Sequence, residues 1–279
     1  MLYFFTFAVD IKRHSQSDLK RSLDMLIHSL KTYTKTDFQM IVFTNFKIQG
    51  IYDSNIIFRE YYNKCSHKLY SDKWLNLSFN KINIYKDLYE EFKENYIWID
   101  LDTLVANDVS YLEKLQHFFN CHGGDNQTSW SIFKNNQEHH IPICKTILGN
   151  FWKLDIDLYN KLMNTLEVIK KRKLILKFDL QDLFNFQIYF VDKNTELYNI
   201  LGFNFNDNIE YGLSIWSETN LHPNTKGLSM LYRDENHALR SLYKKNKEIH
   251  IISFTFNTLK KLWNLPHFRN VFNLKLSNF

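Results

Sequence analysis

The residue pattern of this chain predicts an α/β fold, a mixed and mainly parallel sheet flanked by helices and forming one domain. Three observations carry that prediction. Tyr96-Ile97-Trp98-Ile99 is short, β-branched and aromatic, which reads as a strand buried on both faces. The first sixty residues alternate strand, helix, strand, strand, with polar turns between them. Only 7 Gly and 3 Pro occur in 279 residues, which argues against repeats, collagen-like sequence and a flexible linker.

Taken in order, residues 2–9 read as the first strand, ending at Asp10. After a polar stretch, Leu19, Leu23, Leu26, Ile27 and Leu30 recur at helical spacing. Residues 38–43 form a second strand ending at Thr44-Asn45, and 55–58 a third. This opening has the layout of a nucleotide-binding half. Asp72 caps a helix reaching residue 92, with Trp74, Leu77, Ile84, Leu88 and Phe92 close to one face. Lys81 lies inside that stripe, where a lysine either snorkels or aims its ammonium at an anion. Because this helix feeds the strand ending at Asp100, Lys81 is assigned to the same ligand as the acids there, with Lys73 as a second candidate.

Further on, the pattern predicts a helix over 109–119, a loop over 121–125, and strands at 130–133 and 147–152. Asp155 opens a helix with Leu158, Leu162, Leu166 and Ile169 on one side, and its basic exit, Lys170 to Lys173, suits the negative pole of a helix. A short helix over 178–186 carries Gln181, Asp182 and Asn185. Strands at 187–191 and within 198–205, a helix over 235–244 and a last strand over 249–254 follow. The expected organisation is one domain over 1–262, with halves 1–107 and 108–262, and a basic aromatic tail over 263–279.

Composition narrows the class. Hydrophobic residues make up 44% of the chain, enough for a sizeable core, yet no apolar stretch approaches membrane-spanning length. Residues 1–9 lack a basic lead-in and a small-residue cleavage site, so they read as a strand and not as a signal peptide. Three widely spaced cysteines, Cys65, Cys121 and Cys144, make a disulfide framework unexpected and suit a reducing cytoplasm. The formal charge of +5 is concentrated near the end: residues 243–279 hold seven Lys or Arg and one Glu, so the remainder nets −1. Such a tail suits an anionic ligand or an anionic membrane surface.

The chemistry centres on Asp100-Leu101-Asp102. Nothing in the apolar run pairs these carboxylates, so both are placed at the carboxyl end of a strand, where open α/β sheets bind ligands. Two carboxylates that close repel each other, and a hard divalent cation with oxygen ligands is the usual relief. Two mechanisms use such a pair. In one, Mn²⁺ or Mg²⁺ held by Asp100 and Asp102 binds the diphosphate of a nucleotide-sugar and neutralises the departing nucleoside diphosphate. In the other, Asp100 is a phosphoryl-accepting nucleophile and Asp102 a general acid, as in haloacid-dehalogenase-like phosphatases. That motif normally opens its domain, whereas here about a hundred residues precede it, and no later acidic pair at a strand end completes a phosphatase site.

At these residues the chain resembles GT-A fold glycosyltransferases, most closely the retaining family containing glycogenin and bacterial lipooligosaccharide galactosyltransferases. The firmest part is the helix from Asp72 with the strand into Val105, where Asp100-Leu101-Asp102 takes the place of the Asp-x-Asp metal motif. The resemblance implies a GT-A-like (Rossmann-like) sheet with the nucleotide against Ala8, Val9 and Asp10. Leu180-Gln181-Asp182 is similar to a family Asp-Gln-Asp stretch near the transferred sugar, with Leu180 in place of the first acid, so Gln181 and Asp182 are carried over as catalytic residues. Asn204 is similar to a residue of the segment that follows. The family's third metal ligand is a histidine ahead of Lys-Pro-Trp. Here Ser253 stands at that position, Leu262 replaces the proline, and His250 on the same strand is the substitute metal ligand, although odd spacing puts it on the opposite sheet face. Lys260 and Lys261 are implied as diphosphate contacts.

The resemblance therefore implies a metal-dependent transfer of a hexose from a UDP-sugar to a glycan or lipid-linked glycan acceptor, in surface polysaccharide or lipooligosaccharide synthesis. With the cytoplasmic setting that the cysteines suit, the basic aromatic tail (Trp263, Phe268, Arg269, Phe272, Lys275) is then expected on the inner membrane surface, near a lipid-linked acceptor. A non-catalytic nucleotide-sugar-binding protein on the same scaffold stands as an alternative because of Ser253. Cys121-His122, His139-His140 and Cys144 include zinc-ligand types but no Cys-x-x-Cys pair. No Gly-x-Gly-x-x-Gly or P-loop occurs, which disfavours dinucleotide and ATPase readings. Aromatics are not interleaved with a basic stripe, so nucleic acid is not an expected partner.

Overall fold

Apolar residues on both faces of one strand fit only inside a sheet covered on both sides. β1 (Leu2–Ala8) is such a strand: Phe5 and Phe7 enter one core cluster, Phe4 and Ala8 the other, and all four are buried. α1 (Gln16–Tyr33) starts at Ser15, whose Oγ accepts the Asp18 N–H at 3.1 Å, satisfying one of the free donors of the first turn. Its stripe of Leu19, Leu23, Leu26, Ile27 and Leu30 is buried against the sheet, each leucine contributing about 2 kcal/mol of apolar burial. β2 (Phe38–Thr44) and β3 (Ile56–Glu60) extend the sheet in parallel.

α2 (Lys73–Phe92) leads into β4 (Ile97–Ile99), which pairs in parallel with β1 on the side away from β2. β5 (Thr103–Val105) follows after a turn. A 3-10 turn (Ser110–Lys114) then precedes two long strands, β6 (Phe118–Lys134) and β7 (Gln137–Lys153), paired antiparallel. α3 (Ile156–Lys171), α4 (Leu180–Phe186) and a π-helical segment (Gln187–Asp192) come next, then β8 (Ile200–Phe203), β9 (Leu213–Ser214) and β10 (Ile251–Ser253). This computed structural model describes residues 1–64, 73–105, 108–134, 137–172, 180–203, 213–214, 251–253 and 259.

The seven-stranded sheet runs β3-β2-β1-β4-β7-β6-β8, parallel from β3 to β4 and parallel again between β6 and β8. It is thus a mostly parallel, mixed α/β sheet, as expected, with helices on both faces. α1 covers one face; residues of α2, α3 and α4 cover the other. Aromatic rings fill the second layer: Trp98 lies 4.7 Å from Phe7, 5.0 Å from Phe5 and 6.4 Å from Trp152, ring centre to ring centre. A smaller sheet, β5-β10-β9, stands beside the end of β4. Among the described residues no helix is long and apolar enough to cross a membrane.

Three expectations are corrected. The helix over 109–119 is only the 3-10 turn, because Phe118 and Phe119 are already paired with Lys153 and Trp152. The Gly-rich stretch at 121–125 lies within β6: Cys121, His122 and Gly123 pair with Ile147, Thr146 and Lys145, and the register shifts between Gly123 and Thr128. Residues 187–191 continue the helical path of α4 as a π-helical segment, held by buried Gln187, which accepts from Thr165 Oγ1 at 2.5 Å and donates to Asp192 at 2.8 Å. The helix over 235–244 and the tail over 263–279 lie outside the described residues.

Candidate metal and nucleotide-sugar site

The turn after β4 creates the site. The Thr103 N–H donates to the Asp100 carbonyl at 3.1 Å, closing a four-residue turn over Asp100-Leu101-Asp102-Thr103. Leu101 goes into the α1-side core. Asp100 shares the opposite face with Trp98, since alternate residues of a strand face the same way. β5 then fixes the far end of the turn: the Val105 N–H donates to Ser29 Oγ of α1 at 3.0 Å, and β10 pairs with β5 so that Ser253 stands opposite Thr103.

Lys81 meets this turn from α2. Its side chain, 11% exposed, lies among buried Phe79, Ile82, Ile84, Tyr85 and Leu88. The Nζ donates to Asp100 Oδ1 at 2.8 Å and to the Gly149 carbonyl at 3.3 Å, and it sits 4.4 Å from the centre of the Trp98 ring. Trp98 Nε1 donates to the same Oδ1 at 2.8 Å. Both donors therefore use one oxygen of Asp100. The anion that Lys81 was expected to meet is, in the first instance, the acidic pair itself.

Burial raises the Asp100 carboxyl above the usual carboxylate range, with Lys81 and Trp98 opposing that shift. Burial also raises Asp102, and the neighbouring charge of Asp100 raises it further. Even so, Asp100's side chain is 27% exposed, and Asp102 is only partly buried. The pair is enclosed by protein yet reachable, and it has fewer donors than its ionised form needs.

The third wall is an irregularity in β7. Phe119 pairs with Trp152 and Cys121 with Ile147, so β6 spans one residue, Asn120, where β7 spans residues 148–151. A bulge releases backbone groups from the ladder and redirects them. Here the Gly149 carbonyl accepts from Lys81 and Asn150 Oδ1 accepts from Asn120 Nδ2 at 3.2 Å, while the Asn150 carbonyl accepts the Asp100 N–H at 2.9 Å in continuation of the β4 ladder. These residues were not singled out from the sequence. The usable signal was Gly149 inside an apolar run, which marks a bulge or a close backbone approach.

The expected nucleotide side lies at the end of β1. Ala8 and Val9 are buried, and Ala8 is paired with Thr44 of β2. Asp10 shapes the loop that follows: its Oδ1 accepts the Lys12 N–H at 2.7 Å and its Oδ2 accepts from Gln16 at 3.1 Å. Those two bonds hold the Asp10 carboxyl below the usual carboxylate range. Asn45, at the end of β2, donates to the Asp10 carbonyl at 2.9 Å and accepts its N–H at 2.8 Å.

Gln181 is partly exposed, and a Cβ placed on Gly149 would stand 3.7 Å from the Gln181 nitrogen, so α4 packs against the bulge. Asp182, the next residue of α4, is fully buried. Asp100, Asp102, Lys81 and Gln181 thus converge on the end of β4, with Ala8, Val9 and Asp10 at the end of the neighbouring strand. His250, Lys260, Lys261, Asp72 and Asn204 lie outside the described residues, as does the side chain of Lys73.

Hard oxygen donors on a partly open turn fit Mn²⁺ or Mg²⁺, which take carboxylates, water and phosphate oxygens together. Asp100 keeps Oδ2 for such an ion while Oδ1 holds Lys81 and Trp98. Among the described residues no third His, Cys, Asp or Glu completes a ligand cluster. A separate cavity of about 410 Å³ opens at the other end of β1 and β4, lined by Tyr3, Glu94, Glu113 and Lys153 among others. No family model matches the chain, and no curated protein matches it either.

Proposed function

We propose that this protein is a metal-dependent glycosyltransferase that moves a hexose from a UDP-sugar to a glycan acceptor with retention of configuration. The observation that carries this reading is the Asp100–Asp102 turn. It places two mutually repelling, partly exposed carboxylates at the carboxyl end of a central parallel strand, with one oxygen of Asp100 already fixed. A bound Mn²⁺ or Mg²⁺ would supply Lewis-acid neutralisation of the leaving diphosphate.

In this reading Asp100 Oδ2 and Asp102 hold the cation, and either His250 or Ser253 adds a ligand. Lys81 keeps Asp100 in place and turns its remaining charge toward the diphosphate, while Lys260 or Lys261 contacts the same group. The backbone at Ala8 and Val9 and the loop shaped by Asp10 border the nucleoside. Gln181 faces the sugar, and Asp182 supports it from behind. The basic aromatic tail after residue 262 brings the enzyme to an anionic membrane surface beside a lipid-linked glycan, in surface polysaccharide or lipooligosaccharide synthesis.

A thermal-shift panel of nucleoside diphosphates, with and without Mn²⁺, tests the class. Because a ligand of the native state raises the melting temperature by mass action, UDP with Mn²⁺ should raise it and EDTA should abolish the rise. No shift with any nucleoside diphosphate removes the proposal, and a phosphoryl group trapped on Asp100 turns it toward a phosphatase. A UDP shift with no UDP-sugar turnover on any glycan extract leaves a binding protein instead.

A further inference from the structure

The bulge in β7 has an anchor of its own. Asn185 of α4 is fully buried, and its carboxamide closes on one residue of β7: Oδ1 accepts the Ile147 N–H at 3.0 Å and Nδ2 donates to the Ile147 carbonyl at 2.9 Å. Nδ2 also donates to the Gln181 carbonyl at 2.8 Å, one helical turn back. A primary amide is the side chain suited to this place, since it accepts and donates side by side, as an adjoining strand would.

Ile147 is the last β7 residue paired with β6 before residues 148–151, which stand opposite Asn120 in that ladder while Phe151 still pairs with Ile99 of β4. Two residues later the Gly149 carbonyl receives Lys81, and one further the Asn150 carbonyl receives the backbone of Asp100. The backbone of a bulge released from its ladder is a soft element unless side chains hold it. Asn185 holds the start of this bulge and, through Gln181, the helix packed against Gly149.

We propose that Asn185 is a positioning residue: it fixes the β7 bulge so that the Gly149 carbonyl seats the Lys81 ammonium on Asp100 and Gln181 stands beside them. It acts through Lys81 and Gln181 and touches no substrate. The placement is a property of the fold, while its consequence for ligand affinity rests on the function proposed above.

Lysine acetylation footprinting read by mass spectrometry tests the placement without any ligand. In Asn185→Ala, labelling of Lys81 should rise about tenfold, as for a locally opened site, while labelling of Lys153, just past the bulge but held by the Leu112 and Leu115 carbonyls, stays at the wild-type rate. Gln187→Leu removes a buried amide that bonds to Thr165 and Asp192, and it should leave Lys81 protected. Asn185→Asp, which keeps the acceptor but loses both donors, replaces the alanine variant if that one fails to fold. Equal Lys81 labelling in a folded Asn185 variant and wild type, or parallel gains at Lys81 and Lys153, overturns the inference. Mn²⁺-dependent UDP affinity of the same variant should fall roughly tenfold or more. If wild type binds no nucleoside diphosphate, the proposed function falls and the footprint still decides the role of Asn185.

Discussion

Two neighbouring parallel strands end in aspartates and treat them in opposite ways. After β1, both carboxylate oxygens of Asp10 accept donors of their own loop, and its carboxyl lies below the usual range. One of those donors is the N–H of Lys12, whose backbone is left-handed at φ 66°, a conformation that costs about 1 kcal/mol for a non-glycine residue. Asp10 is a structural acid that holds a strained loop. After β4, Asp100 and Asp102 are both pushed up by burial, Asp102 further by the charge of Asp100, with two donors sharing a single oxygen of Asp100. The fold completes the first carboxylate and leaves the second pair open, and the proposed cation site rests on that contrast.

The sharpest break of this comparison comes from Asp102→Asn. Loss of one carboxylate from a two-acid site should reduce metal-dependent UDP release roughly a hundredfold or more. Melting temperature at neutral pH should hold or rise, since a buried charge with too few donors is removed. A large fall in stability with turnover intact would make Asp102 a structural acid like Asp10.

Lys81→Met comes next. It strips Asp100 of its ammonium and should cost about 2 kcal/mol in urea unfolding without cation, less than for a fully enclosed pair because Asp100 is 27% exposed. Saturating Mn²⁺ should recover part of that loss, if the cation and the ammonium serve the same acid.

Asp155 provides a second satisfied carboxylate for the comparison. It caps α3 by accepting the Leu158 N–H at 2.8 Å and meets His117 Nδ1 at 2.8 Å, and its carboxyl is lowered chiefly by His117. A lowered folded value means that the native state binds fewer protons than the unfolded chain. Its stabilisation is therefore present above the ordinary carboxylate range and lost as pH falls through the folded value. Asp155→Ala should cost about 1 kcal/mol at pH 7, and the gap to wild type should close in strong acid. A gap independent of pH would show that the charge of Asp155 plays no part.

Asp10→Asn should have the smallest effect: faster amide exchange at Lys12, little change in melting temperature, and no change in Mn²⁺ affinity. A fall in Mn²⁺ affinity as large as that of Asp102→Asn would erase the distinction between the two strand ends.

What could be read from the sequence followed how local the signal was. The strand ending at Asp100, the helix of Leu19 to Leu30 and the helix bearing Gln181 and Asn185 rest on periodicity and caps within a few residues, and all three are present. Lys81 was legible as a charge in an apolar stripe, although its first partner is Asp100 itself. The long β6–β7 pairing was not legible, because Gly123-Gly124-Asp125 carries turn chemistry that in β6 marks only a register shift between Gly123 and Thr128. The bulge at 148–151 depends on the register at the open end of a long hairpin, between residues 30 apart in sequence, so Asn120, Gly149 and Asn150 stayed hidden although Gly149 interrupts an apolar run. Asn185 was seen as a helix residue, but its grip on Ile147 belongs to tertiary structure.

The most direct test of the central claim is a calorimetric titration of Mn²⁺ into the wild-type chain with saturating UDP, set beside Asp100→Asn/Asp102→Asn. The account predicts one cation per chain for wild type and none for the double variant, which should remain folded but melt somewhat lower because the Lys81 ammonium loses its counter-ion. Undiminished Mn²⁺ binding by the folded double variant would contradict it.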